Sequence, residues 1–256
     1  MCPVKNYHYY AFSGLRIADR KDNHQNSKVL KMTKNIIAII TINLLVISKG
    51  LYAQQIKLDV NNLEANQVYM SVEKFQGNEV VRVIKDSTIK AFDEPTFAKI
   101  RNVDFKDGTI EVKVLSRLVK NAPELARGFI GVAFRIHENN SKFESIYIRP
   151  TNGRVENQLR RNRSVQYFSF PDYKFERLRK EAAGEYESYA DMGLNEWIKI
   201  RIVVKGKQAK LFLNENKQPS LIVNDLKHGE NVSGALGLFV DIGTEGYFTD
   251  LKVTKQ

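Results

Sequence analysis

Polar side chains recur on one side of three short runs in which apolar residues alternate. In the run 128–137, alternation places large apolar residues on one face, while the other face is small in its middle and polar at one end. The run 143–151 repeats this pattern, and the run 235–243 places Asp241 among its small residues. A hairpin between the first two runs would make neighbours of four polar side chains: Arg135, His137, Tyr147 and Arg149.

The chemistry available to these residues and Asp241 is recognition of ligands that are rich in hydroxyl groups. Arginine and aspartate form several hydrogen bonds at once, and tyrosine offers a flat apolar face together with a hydroxyl. Small residues between them, Gly131 and Ala133, would leave room for a ligand across the sheet. The pattern indicates a carbohydrate-binding face, and its alternative is the ordinary solvated face of an antiparallel sheet.

Two further features have both a structural and a binding interpretation. Trp197 lies opposite the predicted core residues of its own run, so it either packs at a sheet edge or provides a platform for a sugar ring. Three arginines in the segment 160–163 form either a solvated loop or a contact for an anionic saccharide.

Metal and thiol chemistry have little support in the sequence. Downstream of residue 53 the only histidines are His137 and His228, which lack ligand spacing, and no cysteine is present there. We therefore predict no cofactor and no cysteine nucleophile. The one alternative is calcium held by oxygen ligands from Asp241, Glu245 and Asp250.

The elements that must position these residues are β-strands. From Val80 onward, ten short runs with period-two alternation are separated by Gly, Asn, Asp and Lys clusters. This pattern predicts an all-β fold of two antiparallel sheets packed face to face, with residues 54–79 supplying the first strands. The stretch 172–184 is the one predicted helical turn, and it is placed as a loop excursion.

The N-terminal region is typical of an export signal. Lys34 precedes the uncharged apolar run 36–48, which is too short to span a membrane, and Ala53 supplies the small residue before a predicted cleavage site. We predict a mis-annotated upstream extension over 1–31, a signal peptide over 32–53, and a single β-sandwich domain over 54–256. The expected location is periplasmic or extracellular.

Charge also narrows the class of partner. The chain carries a formal charge of +11, but removal of residues 1–53 leaves 32 basic and 27 acidic residues, a net charge of +5. So modest an excess on an exported protein argues against a nucleic-acid partner. A cleaved signal also predicts no membrane attachment of the mature chain, and carbohydrate remains the expected partner.

The C-terminal half resembles the concanavalin A-like lectin/glucanase superfamily, and within it the laminin G-like and 3-keto-disaccharide hydrolase domains of secreted bacterial proteins. The resemblance is carried by NEWIKIRIVVKGKQAKLFLNENKQPSLIVNDLKHG and SGALGLFVDIGTEGYFTDLKV, and upstream by GFIGVAFR and FESIYIRP. It implies a jelly-roll sandwich whose ligand-facing cleft contains Arg135 and Glu144. Strand alternation instead places Glu144 on the core side. The ExDxxE signature of laminarinase-type glucanases is absent.

These observations predict an exported protein that binds a carbohydrate, and leave hydrolysis of a glycoside or keto-disaccharide open. If the protein is an enzyme, the acid/base candidates are Glu144, Asp191 and Asp241, with Glu187 as a weaker one. The ligand contacts are predicted to be Arg135, His137, Tyr147, Arg149 and Trp197. The alternative is a non-catalytic laminin G-like protein-interaction module, which predicts an exposed aromatic patch formed by Tyr167, Phe168, Phe170 and Tyr173.

Overall fold

The computed structural model describes residues 28, 30–32 and 53–256. Almost all of the predicted upstream extension and almost all of the predicted signal peptide lie outside the described residues. Residues Leu51–Gln256 form one compact unit. Within the described part of the chain, no helix is both long enough and apolar enough to cross a membrane.

Fifteen strands make up about half of this unit, and they are numbered in chain order. They are β1 (Gln54–Gln55), β2 (Leu63–Asn66), β3 (Val68–Phe75), β4 (Asn78–Lys85), β5 (Phe97–Phe105), β6 (Gly108–Leu118), β7 (Ile130–Ile136), β8 (Phe143–Ile148), β9 (Val165–Phe170), β10 (Glu187–Ser188), β11 (Trp197–Lys205), β12 (Gln208–Leu213), β13 (Leu221–Val223), β14 (Gly234–Val240) and β15 (Thr244–Lys255). The helical segments are a 3-10 turn at Pro150–Asn152 and short α-helices at Gln158–Arg161 and Phe175–Glu181.

The strands form two antiparallel sheets. Sheet A has the order β13-β12-β11-β6-β15-β4-β3, with β1 paired to β15, and sheet B has the order β10-β9-β8-β7-β14-β5-β2. The predicted all-β, two-sheet antiparallel sandwich is therefore confirmed. The predicted helical excursion is also found, since the stretch 172–184 contains the helix Phe175–Glu181.

The main core lies between the sheets and follows the alternation of the sequence. A Cβ at Gly246 of sheet A would approach Val240 and Ile130 of sheet B, so these two side chains point towards sheet A. Alternation then directs Gly131 and Phe239 to the opposite, outer face of sheet B. On sheet A, Ile200 and Ile202 are fully buried and contribute to the same core.

The outer face of sheet B is not a solvated surface but a second apolar layer. Four phenylalanines that are fully buried form it around Tyr147: Phe97, Phe143, Phe168 and Phe239. Their rings make edge-on or tilted contacts, among them Tyr147 with Phe239 at 5.5 Å and Phe143 with Phe168 at 5.6 Å between centroids. The loop between β4 and β5 and the helix Phe175–Glu181 approach this layer, since Phe92 contacts both Phe129 and Phe175.

Gly131 is small because Tyr147 lies directly across the β7–β8 pair, not because a ligand occupies the space. A Cβ at Gly131 would come within 2.5 Å of the Tyr147 Cα and 2.3 Å of the Ile146 carbonyl oxygen. We expect Gly131→Ala to lower the free energy of unfolding by about 3 kcal/mol, the upper end of overpacking effects, in urea denaturation. Gly77→Ala, where nothing lies within 4 Å, is the control and should cost only about 1 kcal/mol for its left-handed backbone. Equal losses in the two variants would contradict this explanation.

Candidate functional site

The predicted β7–β8 hairpin is present, but its register separates the four polar residues that it was expected to gather. Gly131 pairs with Tyr147 and Phe134 with Glu144. Arg135 is therefore four residues beyond the partner of Tyr147, about 13 Å along the strand at 3.3 Å per residue. Arg135 and His137 lie at the turn end of the hairpin, whereas Tyr147 and Arg149 lie at its open end.

Arg135 does not lie on the outer face, and that prediction is wrong because a β-bulge interrupts the alternation of β7. Ala235 pairs with Ile136 and Gly237 with Ala133, so β7 contains one more residue than β14 over this stretch. The backbone of Arg135 is left-handed, with φ of 54°, and its side chain is fully buried.

The guanidinium of Arg135 connects three loops. Its Nε donates to the carbonyl of Lys106 at 2.9 Å, Nη1 to that of Gly229 at 2.8 Å, and Nη2 to that of Gly206 at 2.9 Å. Nη2 also contacts Asp107 Oδ1 at 3.1 Å. Every one of these contacts is internal, so Arg135 has a structural role and is not exposed to a ligand.

Glu144 is on the core side, as alternation predicted, and this excludes it from the ligand-facing cleft that the family resemblance implied. Its side chain is fully buried. One carboxylate oxygen accepts from the hydroxyl of Tyr167 at 2.5 Å, and the other accepts from the backbone N–H of His228 at 2.9 Å. Glu144 therefore anchors the chain after β13 instead of facing solvent as an acid/base catalyst.

Three other predicted residues lie apart from one another. His137 is exposed at the hairpin turn, where its Nδ1 lies 2.8 Å from Asn139 Oδ1. Asp191 is exposed and forms a bidentate pair with Arg154, at 2.8 and 3.0 Å. Trp197 is half-buried on sheet A, where it packs against a small cluster that includes Tyr247. Neither a common site nor a catalytic pair results from these positions.

Tyr147 and Arg149 do come together, and a buried network of polar side chains connects them to Asp241. The Tyr147 hydroxyl accepts from Arg149 Nη2 at 2.7 Å and donates to Asp93 Oδ1 at 3.1 Å. Asp241 accepts the backbone N–H of Asp93 at 2.9 Å and pairs with Lys85 Nζ at 2.6 Å. Asp241 is fully buried in this network, so the prediction that it lies on a ligand face is wrong.

The carboxyl group of Asp93 titrates at the centre of this buried network. Burial, reinforced by the negative charge of Asp241, raises the pKa of Asp93 to about 7. Hydrogen bonds from the Phe175 backbone and the Tyr147 hydroxyl, and the charge of Arg149, act in the opposite direction. Burial also raises the pKa of Tyr147 well above its usual value, so its hydroxyl stays protonated.

The acidic residues that were predicted to bind calcium each pair with a different cation. Asp241 pairs with Lys85, Glu245 with Arg82 at 2.6 Å and Asp250 with Lys113 at 2.8 Å. Nowhere in the described ranges do three or more acidic, histidine or cysteine side chains gather as metal ligands. The structure therefore does not bring the predicted calcium ligands together.

An open pocket of about 300 Å³ lies at the Tyr147–Arg149 end of sheet B, and we call it the arginine pocket. Five arginines and four aromatic residues, with Leu125 and Asn152, line it: Arg127, Arg149, Arg160, Arg163, Arg179, Phe92, Phe129, Tyr147 and Phe175. None of the lining residues is acidic. Apolar walls with a few converging polar groups are typical of ligand sites.

Arg149 is the most firmly held side chain of the arginine pocket. It is buried, stacks 4.9 Å from the centroid of its neighbour Tyr147, and donates to Gln166 Oε1 at 3.2 Å. Its Nη1 donates to the carbonyl of Arg163 at 2.9 Å and to Glu187 at 3.3 Å. The guanidinium is thus oriented before any ligand arrives.

Glu187, which the sequence analysis gave as a weaker acid/base candidate, pairs with arginine side chains that line the arginine pocket. It pairs with Arg179 at 2.5 and 2.9 Å and lies 3.6 Å from Arg163 Nε. Its side chain is only 6% exposed. With three arginine neighbours, Glu187 orients cations and does not act as a free carboxylate.

The arginine pocket contains residues that sequence analysis missed. The segment 160–163 gave a signal as a basic run, and two of its arginines, Arg160 and Arg163, do line the pocket. Arg127, Phe92 and Phe175 come from loops or a short helix without strand alternation, so no local pattern placed them. Their convergence depends on how long connections fold back over sheet B.

Comparisons with known proteins give remote structural neighbours. No family model matches the chain, and no curated protein matches it. Solved structures similar to it include a carbohydrate-binding module from Bacillus subtilis, at 11% identity and TM-score 0.45, covering 74% of this chain and 97% of that one.

Two other neighbours are a B. subtilis protein of unknown function with a galectin-like fold (9% identity, TM-score 0.47, 80% and 98% coverage) and domain 4 of an extracellular arabinanase from Geobacillus stearothermophilus, in complex with arabinotriose (9%, 0.40, 81% and 85%). Because these TM-scores lie below 0.5, the sandwich fold rests on the strand pairing of this chain itself.

Proposed function

We propose that this chain is an exported carbohydrate-binding protein that holds a sugar in the arginine pocket. The observation that carries the proposal is the convergence of oriented guanidinium groups and aromatic side chains in one concavity. Arg149 is fixed beneath the opening, while Phe92 and Phe175 stand half-buried beside it. Guanidinium groups bind oxygen atoms, and aromatic faces pack against the apolar faces of sugar rings.

Binding without hydrolysis is the form of the proposal that the pocket supports. Hydrolysis of a glycosidic bond generally needs two carboxyl groups flanking it, about 5 to 10 Å apart. The lining residues of the arginine pocket include no carboxyl group. Asp93 and Asp241 lie buried behind Tyr147, so neither faces the pocket as an acid or base.

The alternative of a protein-interaction module loses its predicted surface. Of the four aromatic residues expected to form an exposed patch, Tyr167 and Phe168 are fully buried, and Phe170 and Tyr173 are only partly exposed. Tyr167 instead donates to Glu144, and Phe168 belongs to the aromatic layer on sheet B. No observation on this surface favours a protein partner over a sugar.

Phe92→Ala should weaken sugar binding roughly 3- to 10-fold, because it removes an aromatic wall of the pocket. The test begins with an array of neutral and acidic oligosaccharides and continues with calorimetry on the tightest-binding member. Phe212→Ala is the matched control, since Phe212 is also half-buried and lies 3.8 Å from a guanidinium, that of Arg201, but on sheet A. The control should bind as the wild type does. If the protein binds no glycan on the array, neutral or acidic, the proposed function is contradicted.

A further inference from the structure

The arginine pocket carries more positive charge than its surroundings neutralise. Three of its five arginines, Arg149, Arg163 and Arg179, share the single carboxylate of Glu187. The other two have no carboxylate partner: Arg127 donates to two backbone carbonyls, and Arg160 donates to Asn152 Oδ1 at 3.2 and 3.3 Å. Glu187 is the one carboxylate that pairs with these guanidinium groups, while the charge of Glu124 also acts on Arg127 and that of buried Asp93 on Arg149 and Arg179. Five guanidinium groups against three carboxyl groups still leave an excess of positive charge.

This excess is unfavourable in the unliganded protein. Burial and then the charge of Arg160 lower the pKa of Arg127, the charge of Glu124 acts in the opposite direction, and Arg149 adds to the repulsion. Burial and then Arg179 likewise lower the pKa of Arg163. Like charges held together in a concave site repel one another and raise the local concentration of anions. An anion placed among these groups would therefore relieve repulsion as well as accept hydrogen bonds.

The apolar walls indicate that the anion is attached to a larger ring. Phe92 and Phe175 meet edge to face at 5.9 Å, and Phe129 contacts Tyr147 at 5.8 Å between centroids. A small inorganic anion would bind the guanidinium groups but would not contact these aromatic walls. A sugar that carries an oxyanion would use both.

We propose that the arginine pocket selects an acidic saccharide, one whose ring bears a carboxylate or a sulfate ester, through the guanidinium groups of Arg127 and Arg160, which pair with no carboxylate, and the fixed guanidinium of Arg149. This inference rests on the proposed function, because it names the class of sugar that the same pocket takes. Planar guanidinium groups bind either oxyanion through paired hydrogen bonds.

The decisive experiment compares probes that differ only in charge. Calorimetry on the full chain uses oligogalacturonate and its methyl ester, and a dextran sulfate oligosaccharide beside the neutral dextran oligosaccharide of the same length. We expect an acidic member to bind about 10- to 100-fold more tightly than its partner without that anionic group, since charge-assisted hydrogen bonds are lost. The pair that shows this difference identifies the carboxylate or the sulfate as the recognised group. Affinity should also fall as salt rises.

Two single variants test the residues. Arg127→Gln and Arg160→Gln should each weaken binding of the acidic probe about 10-fold and binding of its uncharged partner by a clearly smaller factor, because only the acidic probe loses a charge-assisted hydrogen bond. Arg177→Gln is the matched control, because Arg177 is exposed on the helix Phe175–Glu181 and pairs with Glu181 at 2.7 Å outside the pocket. It should bind as the wild type does. Thermal melts confirm that each variant is folded.

Failure of this inference is distinguishable from failure of the proposed function. Equal affinity for the charged and uncharged members of both pairs would overturn the acidic-sugar inference and leave carbohydrate binding intact. Binding of inorganic sulfate as tightly as of the acidic sugars would overturn it, because the walls would then contribute nothing. Tighter binding of polyglutamate than of any acidic saccharide would overturn it in favour of an acidic peptide. Binding of no saccharide at all would overturn both proposals.

Discussion

Arg135→Met should lower the free energy of unfolding by about 3 to 5 kcal/mol, because the fully buried guanidinium makes four hydrogen bonds and bonds from a charged group contribute about 1.5 to 3 kcal/mol each, not additively. Methionine fills much of the volume of the side chain but donates no hydrogen bond. The variant leaves the carbonyls of Lys106, Gly206 and Gly229 without their present donor. These carbonyls lose a charged donor, so the loops that contain them lose their common anchor.

Urea denaturation followed through Trp197, the only tryptophan of the chain, measures this loss on sheet A. His137→Ala is the matched control, because His137 is exposed two residues further along and should change stability by less than about 0.5 kcal/mol. Arg135→Lys keeps the charge with fewer donors and should lie between the two, which keeps the test informative if the methionine variant does not fold. A loss below about 1 kcal/mol for Arg135→Met would contradict the structural role.

Strand alternation was a good guide to the fold because it is a local property of the sequence. The run 97–105 coincides with β5, and Trp197 lies on the face opposite the core residues Ile200 and Ile202, as predicted for its run. Side chains on a regular strand change face at every residue, so the strands and their inner faces follow from the sequence alone.

The same rule failed where the backbone stops alternating. One extra residue in β7 at the bulge is enough to turn Arg135 from the outer face into the interior. Arginine has no special preference for a left-handed backbone, so nothing in the sequence marks its φ of 54°. A hairpin also brings together residues equally far from its turn, which is why Tyr147 pairs with Gly131 and not with Arg135.

The candidate site was less predictable than the fold because long connections build it. Tyr147 and Arg149 were identified from strand alternation, and both line the arginine pocket. Arg127 comes from the β6–β7 connection, Arg179 from a short helix, and Phe92 from the β4–β5 connection. Their convergence is a matter of tertiary packing, since no spacing along the chain relates them. The same packing fills the outer face of sheet B, which alternation had presented as open.

The buried network behind the arginine pocket makes the stability of the protein depend on pH through Asp93. Folding raises the pKa of this carboxyl group to about 7. Between about pH 4 and pH 7 the group is therefore protonated in the folded protein, whereas the unfolded chain has already released the proton. The folded state then binds the extra proton, so the contribution of Asp93 is full below about pH 4 and is lost as pH rises to about 7. The raised pKa corresponds to roughly 4 kcal/mol over this window.

Asp93→Asn should abolish this pH dependence, because an amide does not titrate and asparagine tolerates the left-handed backbone at this position, with φ of 53°. The measurement is urea denaturation of both proteins from pH 4 to pH 8. The stability of the wild type relative to the variant should fall by roughly 4 kcal/mol between pH 4 and 7 and then stay constant. Taking the difference cancels the contributions of carboxyl groups remote from this site, and the groups that face Asp93 are Asp241, Tyr147, Arg149 and Arg179. Tyr147→Phe is the control, since it removes the hydroxyl that contacts Asp93 but keeps the carboxyl group, and it should retain the wild-type trend. A difference between wild type and Asp93→Asn that does not change with pH would show that the folded state holds no extra proton at Asp93.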